Sequence, residues 1–137
     1  MHRSLLLLST LALLTAAPHL ADAQSAKPAL YTADQATAGA AVYSQSCAAC
    51  HGTQLEGVAA PALKGEIFGQ MATAQGMTAQ SLLDVVANTM PQSDPGSLKP
   101  EEYSAVTAYI LQQNGYPAGS TALTSGAAGL KDAKVTP

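Results

Sequence analysis

The stretch SCAACHG, Ser46 to Gly52, constrains this chain more than any other, because it holds both cysteines, Cys47 and Cys50, with His51 directly behind them. In a helical turn, positions three and four apart lie on one face. Cys47, Cys50 and His51 can therefore address one flat ligand together. The spacing has a purpose only if all three residues are used.

The start of the chain decides how many histidines are available. Met1, His2 and Arg3 precede an apolar run from Leu5 to Ala17, and Ala21-Asp22-Ala23 lies just before Gln24. This is the layout of a secretory signal peptide over residues 1–23, cleaved after Ala23. The run is shorter than the roughly 20 residues a spanning helix needs, so no membrane span is expected after cleavage. A twin-arginine pair is missing and no cysteine follows the run, which points to the general secretory route without lipid attachment. Cleavage removes His2 and His19 and leaves His51 as the sole histidine. The formal charge of -3 is unchanged, because Arg3 and Asp22 leave together. A mildly acidic chain of this kind is not expected to bind nucleic acid.

Three chemistries compete for Cys-Ala-Ala-Cys-His. A structural zinc site needs four ligands, and this chain offers three in one cluster with no second cluster. A dithiol redox site belongs at a helix start in a strand-and-helix fold, and no strand precedes Cys47. A plain disulfide would close a tiny loop and constrain the unfolded chain little. Covalent haem attachment uses all three residues, each sulfur adding to a vinyl group as a thioether and the imidazole lying under the iron. Composition agrees: one Phe and no Trp leave a thin core, which hints at an interior filled by something other than protein.

The flanking elements are expected to be helical. Thr32 reads as an N-cap with Gln35 completing a capping box, and Ala36, Gly39, Ala40 and Tyr43 fall on one face. Gly39 costs that helix about 1 kcal/mol relative to Ala, which is either tolerated or repaid by close approach of another helix. Residues 52–69, with four glycines and Pro61, are expected to be irregular. A second helix starts at Thr78 with an apolar face of Leu82, Leu83, Val85, Val86 and Thr89, limited by Pro91. A third runs from Pro100 to Gln113, buries Tyr103, Val106, Tyr109 and Ile110, and ends at Asn114-Gly115. Residues 24–31 read as a linker and 118–137 as a tail lying partly on the domain, with Leu123, Leu130 and Val135 able to pack.

A haem iron that carries electrons needs a second axial ligand, and methionine is the soft candidate. Met71 and Met77 sit where a flexible gap-filler is the usual explanation. Met90 ends an amphipathic helix at "NTMPQSDPG", where the chain must turn. The imidazole also needs its other nitrogen held, and a backbone carbonyl near Pro61 is the expected acceptor.

Taken in order, a helix into "CAACHG", then "PAL" (Pro61 to Leu63), "NTMP" and a closing helix "EEYSAVTAYILQQNG" resemble the class I c-type cytochromes from about Thr32 to Gly115. The resemblance implies an all-α cytochrome c fold over residues 32–117, with three main helices around one covalent haem c. It implies Cys47 and Cys50 as anchors, His51 and Met90 as iron ligands, the Pro61 carbonyl as the imidazole's acceptor and Leu63 beside the cofactor. Gly39 and Tyr109 match the positions where first and last helices cross. The resemblance implies a non-enzymatic electron carrier of the periplasm, a monomer or a subunit, taking electrons from a dehydrogenase and passing them to an oxidase or another cytochrome. More narrowly, "MPQSDPGSLKPEEYSAVTAYILQQNGYPAG" is similar to cytochromes that serve quinoprotein dehydrogenases. Few lysines flank the motif, so recognition is expected to be small and apolar around an exposed haem edge. A haem-based ligand sensor and a thiol-disulfide oxidoreductase using Cys47 and Cys50 are the competing functions.

Overall fold

The structure, a computed structural model, describes residues 27–137, and the expected signal peptide lies outside the described residues. Thr32 opens the first helix, α1 (Ala33–Ser46), with its side chain accepting from the Gln35 amide at 3.2 Å. The expected capping box is only half formed. Gln35 turns its amide group to Leu123 instead, donating to the carbonyl at 2.7 Å and accepting from the N–H at 2.8 Å. A two-bond match to the Leu123 backbone outcompetes the single return bond of a capping box.

Cys47 ends α1 and begins a single turn, α2 (Ala48–His51). The next segment departs from expectation: a ten-residue helix, α3 (Gly65–Ala74), begins within residues 52–69, which composition marked as irregular. Glycines at its first position and at Gly69 hid it, yet both have uses. Gly65 takes a positive φ of 78°, and a side chain at Gly69 would collide with Pro137, whose Cα lies 2.6 Å from where a Cβ would stand. Phe68 and Ala72, four apart, supply the buried face.

Thr78 and Ser81 close a full capping box for α4 (Ala79–Thr89), with Ser81 N–H to Thr78 Oγ1 at 3.1 Å and Thr78 N–H to Ser81 Oγ at 2.8 Å. Its buried face is narrower than its apolar sequence. Leu82, Leu83 and Val86 are buried, but Val85 is 46% exposed and Thr89 faces solvent. Helix α5 (Pro100–Gln113) lacks a side-chain cap from Lys99, and the Glu102 carboxylate accepts the Lys99 N–H at 2.8 Å instead.

The principal packing is α1 against α5, and α4 packs on α5 as well. Contact with two helices explains why α5 buries far more than one stripe: Ala105, Thr107, Ala108 and Leu111 join Tyr103, Val106 and Ile110, while Tyr109 is half-buried. The crossing is tight enough to account for Gly39. A Cβ there would fall far inside 3.0 Å of the Ala105 carbonyl and stand 3.0 Å from Tyr109 Cβ. One turn on, Tyr43 meets Tyr109 with ring centroids 5.4 Å apart.

The ends of the described chain complete the core. Leu123, Leu130 and Val135 are buried to 1% exposure or less. Tail carbonyls of Ala133 and Leu130 accept the Ala79 and Gln80 N–H groups at 2.9 and 3.1 Å, so the tail satisfies amides that the first turn of α4 leaves without helical partners. Residues 27–31 are also held: Lys27 donates to the Asn114 and Thr136 carbonyls, and buried Tyr31 donates to the Tyr116 carbonyl. Among the described residues the only β pairing is two isolated bridges, Thr32 with Gly119 and Thr78 with Lys134.

Candidate functional site

The single turn α2 folds back onto the loop behind it. The Cys50 carbonyl accepts N–H groups from Val58, Ala59 and Ala60 at 3.0–3.2 Å, and the His51 carbonyl accepts from Gly57 at 2.8 Å. These bonds require a sharp reversal, which Gly52 and Gly57 provide at φ 83° and 81°. At Gly57 a side chain would also strike the Ala62 amide. Tyr43 adds a strut from α1, its buried hydroxyl donating to the Gly52 carbonyl at 2.6 Å.

The reversal carries Pro61 under the imidazole. His51 Nδ1 lies 2.8 Å from the Pro61 carbonyl oxygen. A carbonyl can only accept, so Nδ1 carries a proton, and in the neutral imidazole the lone pair resides on Nε2. Among the described residues Nε2 takes no hydrogen bond. His51 itself is 8% exposed, so the ring is fixed by burial as well as by that bond.

Cys47 is half-buried and Cys50 exposed, and the two are not bonded to each other. Burial pushes the Cys47 thiol up, with Cys50 adding to the shift. A reactive thiol needs the opposite shift, so this environment does not activate Cys47 as a nucleophile. Nor do the three side chains form a zinc site: among the described residues no group of three or more His, Cys, Asp or Glu is placed to hold a metal ion. Unpaired thiols on a helical turn beside an imidazole with a free Nε2 fit the thioether and iron bonds of a haem.

The remaining sequence-predicted residues lie on different elements. Met90 is half-buried at the C-cap of α4, its N–H bonded to the Val86 carbonyl at 3.1 Å. Leu63 is half-buried against the core, fastened by its N–H to Leu55 and by its carbonyl to the Asn114 side chain, both at 2.9 Å. Met71 is half-buried on α3, and Met77 is buried at the entrance to α4. Both methionines pack with the hydrophobic core. Sequence reasoning missed Asn114, which also accepts the Gly65 N–H at 3.2 Å and so joins the end of α5 to the loop. It also missed the part played by Tyr103 beside Met90. An Asn ahead of Gly115 reads only as a helix terminus, and a Tyr on a buried stripe reads only as core.

A helical domain whose first long helix runs into Cys-x-x-Cys-His, with the imidazole held from a following proline carbonyl, has the design of a c-type cytochrome. A sequence model of the family described as "Cytochrome C oxidase, cbb3-type, subunit III" matches residues 34–110, more than half of the chain, and the chain belongs to that family. Haem is thus the cofactor of this domain and electron transfer its chemistry. Among solved structures the chain is similar to the sulfane dehydrogenase SoxCD from Paracoccus pantotrophus, at 26% identity over 70% of this chain and a TM-score of 0.49. It spans half the length of that chain. No curated protein matches.

Proposed function

We propose that this protein is a monohaem electron carrier of the periplasm. Thioethers from Cys47 and Cys50 hold the haem, and His51 Nε2 and the Met90 sulfur ligate its iron. The haem supplies a one-electron couple. The chain's own residues fix the imidazole, shield one side of the cofactor and present the other to partners. The observation that carries the reading is the His51 Nδ1–Pro61 bond, which leaves a free Nε2 lone pair next to two unpaired thiols.

The donor on this reading is a dehydrogenase, and the likeness of residues 90–119 to carriers serving quinoprotein dehydrogenases favours one that oxidises alcohols or sugars. The acceptor is an oxidase or another cytochrome. Exposed Val58, on the loop behind His51, suits brief, apolar docking.

The test is the spectrum of the purified protein. A reduced pyridine haemochrome typical of two thioethers establishes attachment through both cysteines. A methionine-to-iron band lost in Met90→Ala establishes the second ligand, and its retention would move that ligand to Met71 or Met77. Ready binding of carbon monoxide to the reduced native protein would instead favour a ligand sensor.

A further inference from the structure

We propose that Tyr103 is the positioning residue for the Met90 arm, an inference that rests on Met90 being the second axial ligand. Tyr103 lies in the first turn of α5 and is 5% exposed. Its hydroxyl donates to the Met90 carbonyl at 2.9 Å and accepts the Gly96 and Leu98 N–H groups at 3.0 and 3.3 Å. One donor and two acceptor sites are the full capacity of a phenol, and all three go to one loop.

That loop has few other ties. Within residues 91–98 the backbone bonds are local, Asp94 N–H to Pro91 at 2.9 Å and Ser97 N–H to Asp94 at 3.3 Å. Residues 92–97 are exposed, and only Leu98 at the far end packs against the core. The hydroxyl therefore clips the beginning of the loop to its end. It holds the Met90 backbone, and with it the root of the Met90 side chain, against α5. Without the clip, Met90 would follow α4 into a loop tethered only at its ends. The sulfur would then spend more time away from the iron, and an outside ligand would compete better for the open position. The clip acts through Met90 and takes no part in the electron transfer itself.

The test uses the holoprotein and the variant Tyr103→Phe, which keeps the buried ring and removes one oxygen. Imidazole binding to the ferric protein should tighten about tenfold, the scale of one net hydrogen bond, because three bonds are lost together and the amides and carbonyl they release lie at an exposed loop where water replaces much of them. Exchange of the Gly96 and Leu98 amides should accelerate by a similar factor. Tyr116→Phe serves as the control, because its hydroxyl donates to the Lys134 carbonyl at 2.6 Å, away from this loop. That variant should lower Tm and leave imidazole affinity where it was. Imidazole affinity within twofold of the parent in Tyr103→Phe, whatever its Tm, would overturn the positioning role while leaving Met90 as ligand. In a Met90→Ala background, Tyr103→Phe should change imidazole affinity no further. If Met90→Ala alone leaves imidazole affinity and the methionine band unchanged, the axial reading has failed and the positioning role falls with it.

Discussion

Replacing Gly39 by alanine tests the helix crossing on which the site is built. The added methyl would lie far inside 3.0 Å of the Ala105 carbonyl carbon and oxygen and 3.0 Å from Tyr109 Cβ. Two of these obstacles are backbone atoms that cannot rotate aside, so α1 and α5 must part by about 1 Å. Overpacking of that kind costs about 3 kcal/mol at its upper end. Against it stands the helix propensity of alanine, which favours the variant by about 1 kcal/mol. The net loss is about 2 kcal/mol, or about 8–16 °C in Tm for a domain near 100 residues. Far-UV circular dichroism melts of the ferric holoprotein read this directly. The damage should also reach the haem, because Tyr43 sits one turn further along α1 and its hydroxyl braces the Gly52 carbonyl beside His51. Ala38→Gly, on the exposed side of the same helix, should cost only about 1 kcal/mol through propensity. An unchanged or raised Tm in Gly39→Ala would refute the argument, since propensity would then outweigh contact.

Other outcomes follow from single bonds and single side chains. Pro61→Ala keeps the carbonyl that His51 uses, so the haem spectrum should be retained while stability falls by about 0.5–1 kcal/mol through the freer unfolded chain; loss of the native spectrum would show that the ring matters more than the oxygen. Leu130→Ala removes a side chain that is 1% exposed and should cost about 2–4 kcal/mol in urea unfolding, where a loss below 1 kcal/mol would show that the tail is not part of the core. Tyr43 is pushed up to about 12 by burial first, with Cys47, Glu56 and Tyr109 adding to the shift. An unfolded tyrosine ionises near 10, so between about 10 and 12 the unfolded state loses protons that the folded state keeps, and stability should fall as pH rises through that window. Tyr43→Phe should flatten the fall measured by urea unfolding, and an identical slope would place its cause elsewhere.

What the sequence disclosed and what it concealed divide along physical lines. Thr32, Thr78 and Pro100 announced three helices because a cap or a first-turn proline acts within a few residues of itself. The grouping of Cys47, Cys50 and His51 on one helical turn was legible for the same reason. The Pro61 acceptor could be anticipated because a ligating imidazole must be held and the loop behind it is short. Helix α3 was hidden because Gly65 and Gly69 argue locally against a helix, while Gly65 serves a positive φ and the contact that needs Gly69, with Pro137, comes from the far end of the chain. The half-formed box at Thr32 has a similar cause, since Gln35 answers to Leu123, 88 residues away.

Tyr103 shows where local reading stops. Its place on a helical stripe accounts for the ring, and nothing in that pattern speaks of the hydroxyl. The oxygen acquires its role only when the turn after Met90 brings one carbonyl and two amides to it. A motif can thus be complete within one turn of helix, while the means of holding Met90, which we propose as the second ligand, is spread over a loop and a second helix. Substitutions at Tyr103 and Asn114 should accordingly disturb the iron's surroundings more than their distance in sequence from Cys47–His51 would suggest.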